Sequence, residues 1–101
     1  MAVGDRIDIE KRNDEGEWEP YATVHALQVN TTRSREFSEG GADRSAAYVD
    51  FRVRWNRLLP VIELHMDDYR LVWKGNAYDI RGYDDYLYRH RTVDISAVSH
   101  G

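Results

Sequence analysis

Apolar and polar residues alternate without a break from Ala46 to Asn56. Ala47, Val49, Phe51, Val53 and Trp55 take one set of positions, and Tyr48, Asp50, Arg52, Arg54 and Asn56 take the other. Successive side chains of a strand point to opposite faces, so a period of two predicts a strand with one dry face and one wet face. A helix would scatter the same apolar residues around its circumference. Tyr69-Arg70-Leu71-Val72-Trp73 is rich in aromatic and β-branched residues, and Lys74-Gly75-Asn76 separates it from Ala77-Tyr78-Asp79-Ile80-Arg81. Gly75 and Asn76 tolerate the positive φ that tight turns require, which predicts a hairpin with Leu71, Trp73, Tyr78 and Ile80 on its inner face. Three weaker strands complete the set: Arg6 to Glu10, Tyr21 to Thr31 with Ala22, Val24 and Ala26 on one side, and Tyr88 to Val98 through Val93, Ile95 and Ala97.

About six strands with short turns and no convincing helix predict an all-β fold: a small antiparallel β-barrel with a long loop between strands 2 and 3. Closure suits such a chain because open sheet edges invite uncontrolled pairing. The long loop runs from Arg33 to Ser45; Gly40-Gly41 makes it supple, and Phe37 is its only large apolar residue. A short helical turn at Ser34–Glu39 is the alternative local reading. Loops of this length are uncommon in small domains and are often functional. Asn13 to Glu17 is expected to be an acidic turn and Asp84-Asp85 another. Leu58 to Ile62 is expected to be a crossover in which Pro60 interrupts any ladder.

The length of 101 residues fits one domain, residues 1–101. Hydrophobic residues at 42% and charged residues at 32% are ordinary for a globular domain. There is no cysteine, which removes disulfides and thiolate metal sites. No run of eighteen apolar residues occurs, so no membrane-spanning helix is expected. The polar start, without a signal-like apolar stretch, makes synthesis in the cytoplasm the expectation. The net charge of −4 is uneven: residues 1–50 carry 6 Lys/Arg against 11 Asp/Glu, and residues 51–101 carry 8 against 7. A chain that grips nucleic acid by its backbone usually shows a basic stripe, and none is visible here.

Chemistry is sparse. None of the four histidines, His25, His65, His90 and His100, forms a close ligand pair with an acidic residue in the sequence. On a strand, Glu63, His65 and Asp67 would share a face, a weak pattern for a metal. His25 is expected to be packed within its strand, and His100 to lie in a mobile tail. No phosphate loop or nucleophile elbow occurs. No enzyme activity and no cofactor are expected. Tyr78, Tyr83, Tyr86 and Tyr88 would suit base stacking in a small nucleic-acid-binding β-barrel, the alternative reading of function. Tyr rings at a core or an interface explain them as well, and the acidic balance favours that explanation.

The order of features is more specific than any one of them. A first strand leads to Glu17-Trp18-Glu19, then Ala22-Thr23-Val24-His25-Ala26, then Arg35-Glu36-Phe37, then Phe51-Arg52-Val53-Arg54-Trp55. The hairpin Val72-Trp73-Lys74-Gly75-Asn76-Ala77-Tyr78-Asp79-Ile80 and the strand Arg91-Thr92-Val93-Asp94-Ile95 follow. Over nearly the whole chain this resembles the head-tail joining, or head-closure (stopper), family of tailed bacteriophages. The resemblance implies a structural subunit of the virion neck, the head-tail connector. It implies a ring below the portal and adaptor proteins that closes the DNA-filled capsid and docks the tail terminator. It also implies self-association in the particle, with a monomer when isolated, and double-stranded DNA passing through without specific binding. Carried over, Arg33, Arg35, Glu36, Phe37, Glu39, Gly40 and Gly41 become candidate channel-loop residues. The wet strand face of Tyr48, Asp50, Arg52 and Arg54 suits a polar contact between subunits, because Arg pairs well with carboxylates and the N-terminal half supplies them.

Overall fold

A computed structural model of the chain describes residues 5–36, 44–85 and 89–100. Six strands form: β1 (Arg6–Arg12), β2 (Trp18–Glu36), β3 (Arg44–Arg54), β4 (Tyr69–Trp73), β5 (Asn76–Asp85) and β6 (Thr92–His100). All neighbours are antiparallel, and the single sheet closes into a ring in the order β1-β2-β3-β6-β5-β4. The chain therefore makes two three-stranded meanders, joined along β3–β6 and again along β1–β4.

Alternation fills the interior. Ile7 and Ile9, Phe51 and Val53, Leu71, and Val93 and Ile95 are sealed from solvent, while their strand neighbours face outward. Phe51 sits edge-on to Trp73 and Tyr78, with ring centroids 5.4 and 6.0 Å away. These three rings bring β3, β4 and β5 together in one cluster. Where the pattern slips, a bulge corrects it. Between Ala26 and Gln28 one extra residue of β2 opposes β3. That residue, Leu27, is 51% exposed. The shift keeps Val24, Ala26 and Val29 all on the core side.

Several expectations need correcting. The crossover after β3 contains a helix, α1 (Pro60–Leu64), followed by a 3-10 turn at Met66–Asp68. Pro60 opens this helix, where a missing N–H costs nothing. Leu59 and Ile62 are fully buried against the core at one end of the sheet. The hairpin turn sits one residue earlier than expected. Lys74 (φ 51°) and Gly75 (φ 78°) carry the positive φ, and Asn76 pairs with Trp73. Two consecutive positive-φ residues match the right-handed twist of the flanking strands. Asp84 and Asp85 are not a turn but the end of β5. His100 closes β6, opposite Ala46, rather than lying in a free tail.

The loop between β2 and β3 is shorter than expected because both strands run on. Ser34–Glu36 is strand, not a helical turn, and Arg35 pairs with Ser45 and Glu36 with Arg44. Among the described residues β1 reaches only His25 on β2, and β6 reaches only Ala46 on β3. Beyond the end of β6, only the pairs Arg35–Ser45 and Glu36–Arg44 continue among the described residues as a short two-stranded arm.

Truncating Phe51 to Ala removes the ring at the centre of this packing and leaves a void. A loss of about 3–5 kcal/mol in unfolding free energy is expected, read from chemical denaturation. That is a large share of the roughly 5–15 kcal/mol typical of a domain.

Candidate interaction surface

Tyr48, Asp50, Arg52 and Arg54 all point outward from β3 and are exposed, as the alternation requires. They do not stand alone. Register lines up Gln28, Arg52, Asp94 and Asp84 in one row across β2, β3, β6 and β5, and Asn30, Asp50, Ser96 and Gly82 in the next. The two rows line a shallow groove of about 450 Å³. Its concavity comes from the sequence. Gly82 lacks a side chain, Ser96 has a small one, and a bulge between Ile80 and Gly82 bends β5.

The electrostatics of the groove are lopsided. Arg52 Nε and Nη2 donate to the two Asp94 carboxylate oxygens at 2.9 and 3.3 Å, and Nη1 donates to the Gln28 side-chain oxygen at 3.4 Å. The Asp94 carboxylate, through this hydrogen bond first, raises the pKa of Arg52 above its ordinary value. Solvent screens so exposed a pair, so the contact orients Arg52 more than it stabilises the fold. Asp84 lies directly opposite Asp94, and like charges across a strand pair repel. Among the described residues neither Asp50 nor Asp84 has a cationic partner.

Of the candidate channel residues, Arg33, Arg35 and Glu36 lie on the β2 side of the arm. Phe37, Glu39, Gly40 and Gly41 fall outside the described residues. The metal pattern dissolves: Glu63 ends in a helix, His65 is the exposed residue after it, and Asp67 belongs to the 3-10 turn. Among the described residues no three His, Asp or Glu side chains converge to hold an ion. His25 is exposed on the outer face of β2 rather than packed.

One pairing escaped sequence reading. His90 does meet a carboxylate: its Nδ1 lies 2.6 Å from Asp85 Oδ2, and its backbone N–H donates to Asp85 Oδ1 at 3.1 Å. The His90 ring also stacks on Trp55, 4.4 Å between centroids. A buried carboxylate with both oxygens engaged ties the ends of the β5–β6 connection together, and His90 takes positive φ (55°) to reach it. The missed signal was the parity break after Ile80. Gly82 within a strand marks a bulge, which turns Tyr83 and Asp85 inward.

The two described tyrosines of the base-stacking reading, Tyr78 and Tyr83, are too enclosed to stack bases. Tyr78 is 5% exposed in the core. Tyr83 is half-buried, and its hydroxyl is buried without a hydrogen-bond partner among the described residues. Tyr86 and Tyr88 lie outside the described residues. Burial, then the nearby carboxylates of Asp85 and Glu63, push the Tyr83 phenol up to about 12.

A closed antiparallel sheet with a filled interior and polar outer faces defines the class, a small all-β domain. The comparisons with known proteins agree with that class. A profile of the phage head completion protein family matches residues 4–100, and the chain belongs to that family. Members are structural proteins of the virion and are not known as enzymes, so this chain is a bacteriophage-type virion component with a structural role between head and tail. No curated protein matches. Among solved structures, a chain from the virion of a native gene transfer agent particle superposes with a TM-score of 0.69. The match covers 100% of this chain and 97% of that chain at 12% identity, and shows a shared fold.

The raised Tyr83 pKa has a definite sign. The neutral phenol is favoured in the folded state, so its contribution to stability is complete below pH 10 and is lost as pH rises from 10 through about 12. Replacing Tyr83 with Phe is expected to flatten the loss of stability in that window, with little change at pH 7. Thermal melts of both proteins across pH 7–12 read the difference.

Proposed function

We propose that this protein is a neck subunit that closes the filled head. Copies form a ring below the portal and adaptor, and the ring presents the surface on which the tail terminator docks. The observation that carries this reading is membership of the head completion family over residues 4–100. The geometry supports it in two respects. The ends of β2 and β3 run past the end of β6, so a ring of such domains has an element directed away from the closed sheet. The arm leads into the segment with Phe37, Glu39, Gly40 and Gly41, which in this reading meets the channel. The net charge of −4 is the second support, because an acidic subunit repeated around a pore repels phosphate and lets DNA slide.

Arg33, Arg35, Glu36, Phe37, Glu39, Gly40 and Gly41 are in this reading the channel elements. Tyr48, Asp50, Arg52 and Arg54 face a neighbouring subunit. The isolated chain stays monomeric until the portal–adaptor assembly templates the ring.

The test is to mix the protein with the portal–adaptor assembly encoded beside it and image the product by electron microscopy. A ring capping the channel, with the segment between β2 and β3 toward the lumen, is the expected result. Absence of association, with salt-dependent binding to single-stranded nucleic acid instead, would overturn it. A variant carrying Arg52→Glu and Arg54→Glu is expected to lose ring formation while keeping the fold; normal assembly would remove the subunit-facing role of that strand face.

A further inference from the structure

The closed sheet has two outer faces that lie opposite one another. In the order β1-β2-β3-β6-β5-β4, the pair β3/β6 is diametrically across from β4/β1. Their surfaces differ in complementary ways.

On the β3/β6 side, the two polar rows adjoin a third that contains Tyr48 and Val98. Val98 points outward by register but is buried, 3% exposed, so Tyr48 is the apolar residue of this row that reaches solvent. Tyr48, at 39% exposure, makes an apolar spot beside the acidic groove. An aromatic anchor next to polar positions is the composition of a binding surface rather than of a merely solvated sheet. Asp84 against Asp94 is a local conflict that folding alone gives no reason to keep.

On the β4/β1 side an apolar pair stands in one row with Asp8, and cations lie at the end of the strand pair. Val72, half-buried and pointing outward, pairs with Ala77, which is exposed. One row away, the register that joins Asp8 to Val72 brings Arg6 and the turn residue Lys74 to the same end of the strand pair. Arg6 is 68% exposed, with one exposed partner, Asp8. Lys74 is exposed, with its ammonium over the Trp73 ring. An apolar spot beside Lys74 and the Arg6–Asp8 pair faces one way, and an apolar spot beside the carboxylates Asp50 and Asp84, without cationic partners among the described residues, faces the other.

We infer that the β3/β6 groove receives the β1/β4 face of a second copy of this chain, Arg6 and Lys74 meeting Asp50 and Asp84 while Val72 and Ala77 cover Tyr48. The inference rests on the ring reading above and specifies its contact. Complementary patches on one side of a protomer would give a closed pair. Complementary patches on opposite sides give head-to-tail contacts, the type from which rings are built. The groove also suits a guanidinium or ammonium on a neighbouring chain better than a free ion, since its carboxylates do not converge on one point among the described residues.

The experiment is a charge exchange, scored by rings formed on the portal–adaptor assembly. Asp50→Arg with Asp84→Arg, and separately Arg6→Glu with Lys74→Glu, are each expected to lower ring yield at least tenfold. The chain carrying all four substitutions is expected to recover it. Circular dichroism of each isolated chain establishes that it folds. Asp84→Asn provides an independent arm: removing the repulsion is expected to leave the melting temperature of the isolated chain unchanged or higher while ring yield falls. Rings from the unaltered chain together with undiminished assembly of the groove variant overturn the inference, as does loss in both variants without recovery in the combined one. Failure of the unaltered chain to form rings at all overturns the ring reading instead.

Discussion

The pairing of β1 with β4 is the constraint on which the rest of the structure depends. It joins the first strand to one that follows the crossover, through Asp8–Val72 to Lys11–Tyr69, and it turns an open sheet into a closed one. Two polar contacts brace the joint. Arg70 Nε donates to Glu10 Oε1 at 2.7 Å, and the Trp73 indole N–H donates to Asp5 Oδ2 at 3.0 Å. The Arg70 guanidinium also lies 4.5 Å from the centre of the Trp18 ring, so the side chain that reaches Glu10 on β1 also joins β4 to β2. Without this joint the sheet would have two free edges and a wetted interior, and a domain of 101 residues has little stability to spare. Closure also creates opposed outer faces, which an open sheet covered on one side would not have.

Much of the strand framework was legible because alternation is a direct consequence of strand geometry. Phe51, Val53, Leu71, Ile80, Val93 and Ile95 were all placed on the inner side by period alone. What escaped was set by local backbone events that leave faint traces. A five-residue helix cannot show a full amphipathic pattern, so Pro60 read as a break rather than a start. Lys74 takes positive φ because the twist of the two strands demands it, against its own preference. The strand character of Ser34–Glu36 comes from pairing with Arg44–Ala46, a tertiary effect invisible in polar residues.

The candidate surface was legible only in part. Tyr48, Asp50, Arg52 and Arg54 followed from alternation on one strand. Their partners in the groove, Asp84, Asp94 and Gly82, lie on two other strands, and only the register unites them. The bulge after Ile80 sets that register, and it also turns Asp85 inward toward His90. Twelve per cent identity to a chain of the same fold is consistent with this division. The fold asks of its interior only apolar residues of suitable volume at alternate positions. The outward positions are free to specialise to their own neighbours.

The arm formed by β2 and β3 has a mechanical consequence. Both strands pass from the Glu36–Arg44 pair into the closed sheet, where β3 is bonded to β6 from Ala46 to Arg54. Ladder hydrogen bonds lie perpendicular to the strands. A force applied to the tip along the arm therefore loads the β2–β3 and β3–β6 ladders in shear, so many bonds resist together instead of parting one after another. A force applied sideways meets only the two-stranded outer stretch, which bends first. The domain is stiff along the arm and compliant across it, an anisotropy fixed by where β1 and β6 end.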